Sequence, residues 1–548
     1  MNEKGGKKLK TVFFVLLSAL FLFANSIFSV KIDKINPTDS EYPSGRGPNQ
    51  LVVYTPQFGD STGTNKYGLE AVVRKGIVNK VGGNNSPIPA DGFVISGHGK
   101  GASWISQNLF PGVRVKIKEN QLICEVGPDA YLYWTEYFLN RALSNLEKFA
   151  QQKSTGFDPD RLANAISALQ KNVQQLKNQP RPDSLKIMSA LQESKRLFYQ
   201  SYPSKKGELR AVWYHIRAKK PEELEQAVKQ MKELGVNVIC PETIYGGYAI
   251  YPNAHPDLPQ NPQFIGWDPL AELVRLSQKY EMKLIPWVWV FFVGRENSPL
   301  VNSKADWLAV NYSGQHASEM EKGYHFFCPA RDHVHNFWLQ VYRTMLSRYQ
   351  LDGLQLDYIR YPVSMPYDKG FCYCEHCRKQ FTLDYLVDPL AIDPENDAQI
   401  WKKWQLFREK QVTRFVAKVH RLISSEFTQV KLSADVFPDI KESRQLKMQN
   451  WGYWLKKGYL QEIFTMSYTP DVQTVQQEAC YLKTVLPQDV QGYVGLGPYQ
   501  KFSAEILLDE IQQVRQAGHS GVCLFEFGSL TEEQKEALKL GPFRIQQE

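Results

Sequence analysis

Five acidic residues each stand at the end of a short apolar run or just beyond it: Glu242, Asp357, Asp435, Asp471 and Glu526. A single acid in such a position is usually a surface or helix-capping residue. Several carboxyl groups at one edge of a fold raise one another's proton affinity, which favours a functional site. Paired carboxylates suit the hydrolysis of a glycosidic bond, because one protonates the leaving oxygen while the other attacks the anomeric carbon or activates water.

Asp357 has the most favourable surroundings of the five. The apolar run GLQL at 353–356 carries it to the end of a predicted strand, and Tyr358 and Arg360 are near enough in sequence to orient it or tune its charge. An ion pair between Asp357 and Arg360 with a purely structural role is the alternative. The catalytic interpretation is favoured, because functional groups concentrate at strand ends in barrel enzymes.

The chain is rich in aromatic residues. It contains 29 Phe, 28 Tyr and 12 Trp, which make up 13% of its 548 residues. Trp and Tyr faces suit the apolar face of a sugar ring, while their polar edges reach its hydroxyl groups. The predicted substrate-binding residues combine such rings with charged side chains near the same strand ends: Trp213, Tyr248, Trp287, Trp289, Tyr358, Arg360, Tyr468 and Glu526.

The elements that must position these residues alternate regularly from residue 208 to about residue 530. Amphipathic stretches of helical period separate most of eight apolar, strand-like runs. The runs are Ala211–Ile216, Val236–Cys240, Lys283–Val290, Gly353–Ile359, Lys431–Phe437, Ile463–Tyr468, Val490–Leu496 and Gly521–Phe525. This α/β pattern predicts a (β/α)8 (TIM) barrel, in which reacting groups lie at the carboxyl ends of the strands. A doubly wound open sheet is the alternative, weakened because no glycine-rich phosphate loop follows the first strand.

Three segments precede the barrel, which is predicted over residues 208–548. Residues 31–50, rich in Pro, Ser and Gly, predict a linker. Residues 51–127 contain short alternating runs between glycine turns and predict a small β accessory domain. Residues 130–202 keep an apolar face at helical period and predict a helical spacer.

The first 30 residues predict export. Four lysines precede an uncharged stretch, residues 11–30, whose apolar part has the length found in signal peptides. An uncleaved membrane anchor formed by residues 11–30 is the alternative, and it would be the chain's one contact with a membrane. In both cases the body of the protein is periplasmic or extracellular. These lysines account for part of the formal net charge of +8, and no basic run elsewhere indicates a nucleic-acid partner.

The cysteines raise the question of a bound metal. The motif FCYCEHC at 371–377 contains Cys372, Cys374 and Cys377, with His376 among them. Three thiols and an imidazole could hold a structural zinc ion, although the usual second Cys-x2-Cys pair is missing. A disulfide to a distant cysteine is an equal alternative in an oxidising compartment. No other cofactor is predicted.

Seven stretches of the barrel region resemble the glycosyl-hydrolase-like family 10, exported bacterial proteins with a (β/α)8 fold. They are ELRAVWYHIR at 208–217, ETIYGGYAIYP at 242–252, GWDPLAEL at 266–273, PWVWVF at 286–291, DGLQLDYIRYP at 352–362, ADVFPD at 434–439 and MSYTPD at 466–471. The resemblance implies a glycoside hydrolase, and some members act on peptidoglycan glycan strands. It implies that Asp357 is the leading catalytic carboxylate and that Glu242 sits where the most similar relatives also have an acid. Asp435 and Glu526 occupy positions expected to vary among members, and Asp471 ranks between.

Two functions remain on this basis. The first is an exported glycoside hydrolase that cleaves a cell-wall or extracellular polysaccharide, such as peptidoglycan glycan strands, with Asp357 as nucleophile or base and Glu242 as acid. The second is a glycan-binding protein that keeps the barrel and the aromatic rings without turnover. A pair of rim acids within about 10 Å favours the hydrolase, and a solitary acid favours the binding protein.

Overall fold

The computed structural model describes residues 28–31, 51–65, 67–118, 121–149, 157–180, 183–363 and 369–545. The predicted export segment up to residue 27 and the predicted linker from residue 32 lie outside these ranges. Within the described ranges, every helix is too short or too polar to cross a bilayer.

The N-terminal sheet has seven strands in the spatial order β1-β7-β6-β4-β3-β5-β2. The strands are β1 (Phe28–Lys31), β2 (Leu51–Tyr54), β3 (Gly68–Arg74), β4 (Ile77–Val81), β5 (Gly92–His98), β6 (Arg114–Lys118) and β7 (Gln121–Glu125). All neighbours pair antiparallel, and β1 brings residues from before the predicted boundary at residue 51 into the sheet. Helix α1 (Lys100–Asn108) packs against β5. Gly97 permits this contact, because a Cβ there would lie 2.6 Å from the carbonyl carbon of Gly101.

Three long helices follow the sheet: α2 (Pro128–Phe149), α3 (Pro159–Lys177) and α4 (Ser184–Gln200). Their apolar residues recur at helical spacing and pack together into a second core, to which Ala504, Leu508 and Ala537 from the rest of the chain contribute. Asp158 and Asp183 begin α3 and α4, because their carboxylates accept hydrogen bonds from backbone amides of the first turn.

The rest of the chain alternates strands and helices. The strands are β8 (Leu209–Tyr214), β9 (Val238–Tyr245), β10 (Tyr248–Ala249), β11 (Lys283–Leu284), β12 (Trp287–Trp289), β13 (Phe292–Gly294), β14 (Ala317–Ser318), β15 (Tyr324–Phe326), β16 (Gly353–Asp357), β17 (Lys431–Val436), β18 (Glu462–Ser467), β19 (Gln491–Leu496) and β20 (Gly521–Leu524). The helices are α5 (Pro221–Leu234), α6 (Pro269–Lys279), α7 (Pro299–Ser303), α8 (Asp332–Arg348), α9 (Glu375–Tyr385), α10 (Ala398–Glu426), α11 (Ile440–Lys447), α12 (Trp451–Lys456), α13 (Val472–Val485), α14 (Ala504–Gln516) and α15 (Glu532–Leu540).

Eight parallel strand positions close into a ring. Their order is β8, β9, β11 with β12, β16, β17, β18, β19 and β20, and β20 pairs with β8. The predicted (β/α)8 barrel is therefore confirmed. The third position is split between β11 and β12, where Pro286 has no N–H to donate to the ladder.

The strand ends differ from the predicted runs at two places that matter for the site. β9 extends to Tyr245, so Glu242 lies inside this strand instead of beyond its end. β20 ends at Leu524, so Glu526 lies past the strand, where it begins a short 3-10 turn. Asp357 is the last residue of β16, which places its carboxyl group at the rim of the barrel.

A small antiparallel sheet of order β13-β15-β14 follows the third barrel position. One of its residues, Phe292, packs against Trp289 and Tyr358 at the end of the barrel. Inside the barrel, Trp213, Trp287 and other apolar side chains fill the space below the strand ends. The barrel is therefore a packed core with one open end, as expected for this fold.

Candidate active site

A cavity of about 150 Å³ opens at the carboxyl ends of the barrel strands. The lining residues follow or end six of the eight strand positions: Trp213, His215, Trp287, Trp289, Asp357, Tyr358, Arg360, Asp435, Phe437, Met466, Tyr468 and Phe525. Pockets that enclose drug-sized ligands have volumes of roughly 300–1,000 Å³. This smaller cavity can enclose only part of a long substrate.

Asp357 is held in the cavity by two N–H donors. Its Oδ2 accepts a hydrogen bond from Trp287 Nε1 at 2.9 Å, and its Oδ1 accepts one from the backbone N–H of Tyr358 at 2.6 Å. Burial raises the pKa of Asp357 to about 6, although these two hydrogen bonds and the charge of Arg360 act to lower it. Its carboxyl group therefore changes charge close to neutral pH, where acid–base groups are most effective.

Asp435, on β17, lines the same cavity and is only 1% exposed. Neither of its carboxyl oxygens has a hydrogen-bond partner among the described residues, and the nearby Trp213 Nε1 donates instead to Gln355 Oε1 at 2.9 Å. Burial, and after it the negative charge of Asp357, raises the pKa of Asp435 well above its usual value. The two acids therefore have different surroundings: burial without a partner favours the protonated form of Asp435, whereas two N–H donors favour the ionised form of Asp357.

His215, the residue after β8, connects the cavity to Glu242. Its Nδ1 lies 2.7 Å from Glu242 Oε2. Burial disfavours the charged imidazolium, but the hydrogen bond and charge of Glu242 outweigh it, so the pKa of His215 is raised. Burial also raises the pKa of Glu242, which is 6% exposed and does not line the cavity. Glu242 therefore acts on the cavity through His215.

Arg360 forms a buried ion pair with Glu321. The distances are 2.9 Å between Nη1 and Oε1 and 3.1 Å between Nη2 and Oε2. The guanidinium carbon lies 5.1 Å from the centre of the Tyr358 ring. Within the described part of the chain, Arg360 pairs with Glu321 and not with Asp357. The structural alternative for Asp357, an ion pair with Arg360, is therefore not formed.

Aromatic rings form one wall of the cavity. Trp289 stacks on Phe292 at 4.7 Å between ring centres and meets the edge of Tyr358 at 5.2 Å. On the other side, Tyr468 packs against Phe525 at 5.2 Å. Trp213 is 1% exposed and packs against Phe464, Tyr468 and Phe525, so it contributes mainly to the floor.

Three more of the predicted site residues do not line the cavity. Asp471 caps helix α13, where its carboxylate accepts hydrogen bonds from two backbone amides of the first turn. Glu526 accepts a hydrogen bond from Arg217 Nη2 at 2.6 Å. Tyr248 lies in β10, which forms a hairpin with β9. The hydrogen bonds of Asp471 and Glu526 therefore stabilise local structure.

Several residues that form or support the cavity are not among the predicted site residues: His215, Glu321, Phe437, Met466 and Phe525. Most of them share the feature that identified the predicted residues, which is a position at or just past the end of a strand. Glu321 lacks this feature, since it lies in the loop between β14 and β15.

A separate group of four buried cysteines could hold a metal: Cys328, Cys372, Cys374 and Cys377. Their Sγ atoms all lie within 4.8 Å of one another. Cys328 supplies a fourth thiol beside the three of the FCYCEHC motif, so His376 is not part of the group. None of the eight cysteines forms a disulfide bond with another.

The chain is similar to known proteins mainly through its barrel. The family model described as glycosyl hydrolase-like 10 matches residues 208–509. No curated protein sequence matches significantly.

Solved structures match at low sequence identity. The catalytic domain of a β-amylase from Paenibacillus polymyxa has 12% identity and a TM-score of 0.44, over 61% of this chain and 95% of that domain. A β-galactosidase from Bacillus circulans sp. alkalophilus has 13% identity and a TM-score of 0.42, over 59% of this chain and 50% of that one. A GH36 α-galactosidase from Geobacillus stearothermophilus has 13% identity and a TM-score of 0.39, over 64% of this chain and 44% of that one. The chain thus spans at most half the length of these galactosidases.

Proposed function

Because this chain belongs to the glycosyl hydrolase-like 10 family, we propose that it is a glycoside hydrolase that cleaves O-glycosidic bonds. The observation that carries the proposal is the pair Asp357 and Asp435, which share one aromatic-lined cavity but differ in surroundings, since two N–H donors favour the charged form of Asp357 and burial without a partner favours the protonated form of Asp435. Glycosidic hydrolysis needs this difference, since one carboxyl group must donate a proton while the other attacks or activates water.

Asp357 is the nucleophile or base in this proposal. It is mostly ionised above pH 6, and its two N–H donors fix the direction of its carboxylate. Asp435 is the proton donor, because burial favours the protonated form of its carboxyl group, which has no partner in the described residues to compete with a glycosidic oxygen. This assignment gives Asp435 the role that the sequence analysis expected for Glu242.

His215 and Glu242 form a hydrogen-bonded pair beside these acids. Glu242 holds the imidazole in place and favours its protonated form, so His215 can donate a hydrogen bond to a substrate hydroxyl. Trp289 and Tyr358 present ring faces and edges on the same side of the cavity as Phe292. We assign to these rings the stacking of the sugar next to the bond that is cleaved.

The substrate in this proposal is a cell-wall or extracellular polysaccharide, with peptidoglycan glycan strands as the first candidate. The cavity encloses only part of a long chain, which suits a polymer whose remaining units lie in the open. The lysine-rich N-terminus followed by an uncharged apolar stretch supports a location outside the cytoplasm, where such polymers occur.

Glycan hydrolysis by the purified full-length chain tests the proposal. Denuded peptidoglycan strands and a panel of polysaccharides are incubated with the protein, and new reducing ends are measured. We expect product from at least one glycan, and Asp357→Asn should lower the rate by about 10²–10⁴-fold. Asp384→Asn is the matched control, because Asp384 is exposed on helix α9 and does not line the cavity.

The role of Asp435 is tested in the same assay. Asp435→Asn should lose activity on glycans but keep much of it on aryl glycosides, whose leaving groups need little protonation. Binding of a glycan without any product would contradict the hydrolase and support a glycan-binding protein. Product formation that is equal in wild type and Asp357→Asn would also reject the proposed site.

A further inference from the structure

We propose that Cys328, Cys372, Cys374 and Cys377 bind one structural zinc ion. Cys328 lies in the loop that precedes helix α8, Cys372 and Cys374 lie in the loop that leads into helix α9, and Cys377 lies in the first turn of α9. All four are buried, and their Sγ atoms converge on one space. Four soft sulfur ligands around one point are typical of a structural zinc site, which has no open coordination position.

The distances between the sulfur atoms fit a single tetrahedral ion. The Sγ of Cys328 lies 3.4 Å from that of Cys377 and 3.7 Å from that of Cys374. With Zn–S bonds of ~2.3 Å, a tetrahedral zinc ion holds its sulfur ligands ~3.8 Å apart. A disulfide needs ~2.05 Å and joins only two of the four sulfurs. The mutual convergence of all four therefore favours the metal over the disulfide.

Backbone N–H groups stabilise the negative charge of a sulfur ligand. The amides of Val310 and Cys374 both point at the Sγ of Cys372, at 3.3 and 3.4 Å. Such donors stabilise a metal-bound thiolate and fix its orientation. The loop of Cys372 and Cys374 is also joined to the segment before β14, because the backbone N–H of Tyr373 donates to the carbonyl of Val310 at 2.7 Å.

Arg408 supplies a second, independent observation. This residue is fully buried on helix α10, and its Nη1 donates to the backbone carbonyls of Lys369 and Phe371 on the cysteine loop. Its Nε and Nη2 have no hydrogen-bond partner among the described residues, where the guanidinium lies beside the rings of Trp401 and Trp404 and no carboxylate pairs with it. Burying an unpaired charge is costly. Four thiolates around Zn²⁺ carry a net charge of −2, which would compensate the guanidinium.

The position of the group indicates what the ion does. Cys372, Cys374 and Cys377 follow the barrel strand that ends at Asp357, whereas Cys328 follows the small sheet whose β14–β15 loop carries Glu321. A zinc ion would fasten these two segments to each other. It would thereby hold the loops whose side chains, Arg360 and Glu321, form the buried ion pair beside the cavity.

Metal analysis of the full chain, purified without chelators, tests the proposal. Elemental mass spectrometry is expected to find one zinc ion per chain, and Cys374→Ser and Cys377→Ser should each lose most of it. Cys480→Ser is the matched control and should keep the zinc, because Cys480 is exposed on helix α13 and far from the group in sequence.

Measurements on the wild-type protein keep the test decisive if a cysteine variant fails to fold. Replacement of the zinc by Co²⁺ should produce the strong thiolate-to-cobalt absorption and the visible bands of a tetrahedral site. Peptide mapping without reductant should find all four cysteines as thiols. A disulfide between Cys328 and Cys377, or a folded protein without bound metal whose four thiols react freely, would overturn the proposal.

Discussion

At the scale of single residues, the environment of Asp357 determines its chemistry. An aspartate in water has a pKa of about 3.9. Removal from water raises the pKa of Asp357 to about 6, and the hydrogen bond from Trp287 limits this rise because it stabilises the charged form. If ionised Asp357 is the reactive form, activity should increase as the pH rises through about 6. The pH at which activity rises therefore depends on the hydrogen bond from Trp287.

Trp287→Phe should raise the pKa of Asp357 further, because it removes a hydrogen bond to the carboxylate and keeps an aromatic ring. A hydrogen bond to a charged group contributes roughly 1.5–3 kcal/mol, which corresponds to about one to two pH units. The pH dependence of kcat/KM, or a carbon NMR titration of Asp357, measures the shift. Trp289→Phe is the control, since Trp289 Nε1 has no partner within the described residues. A similar shift in both variants would assign the effect to lost ring volume.

At the scale of secondary-structure elements, the site depends on loops as much as on strands. β16 and β12 place Asp357 and Trp287 by parallel pairing, in which Trp289 is the register partner of Asp357. Arg360 and Glu321 come from two different loops, and they are buried together. Their ion pair therefore ties the loop after β16 to the small sheet.

Glu321→Gln should destabilise the protein by about 2–4 kcal/mol, because it leaves the Arg360 guanidinium buried without its counter-charge. Urea unfolding of the wild type and of Glu321→Gln measures the difference in the free energy of unfolding. Glu319→Gln is the matched control, since Glu319 is exposed in the same loop. We expect the control to change stability by less than about 0.5 kcal/mol. Equal effects of the two substitutions would show that the ion pair does not stabilise the loops.

At the scale of the whole molecule, the helical segment and the barrel share helix α14. One face of this helix, with Leu507, Ile511 and Val514, belongs to the core of the barrel. Its Leu508 packs instead with the apolar residues of α2, α3 and α4. Arg141 of α2 reinforces the contact through two hydrogen bonds to Asp509, at 2.8 and 2.9 Å. The helical segment is therefore an integral part of the barrel's support.

Leu508→Ala should destabilise the protein by about 2–5 kcal/mol, because it opens a cavity where the two cores meet. Calorimetry should show this as a lower melting temperature. Leu383→Ala is the matched control, because Leu383 is 66% exposed on helix α9. If Leu508→Ala leaves the melting temperature as unchanged as the control does, the two cores do not depend on each other for stability.

Local patterns in the sequence were sufficient to predict the barrel and the position of Asp357. Side chains in strands and helices are buried at short, fixed intervals, so the type of each element is visible within a few neighbouring residues. The order of strands and helices then indicates a closed parallel barrel, and the end of the run GLQL identifies Asp357 as a rim residue. They were less informative about Glu242. The predicted run ends at Cys240, whereas β9 continues to Tyr245, so Glu242 lies inside the strand.

Only the tertiary structure decided which distant side chains meet. It places His215 between Glu242 and the cavity, uses Asp471 to cap a helix, and brings Cys328 to the three cysteines of the FCYCEHC motif. It also buries Asp435 in the cavity that Asp357 lines, and burial, followed by the charge of Asp357, raises the pKa of Asp435. These relations join residues from different strands and loops. They arise when the barrel closes and excludes water, so the spacing of neighbouring residues in the sequence does not indicate them.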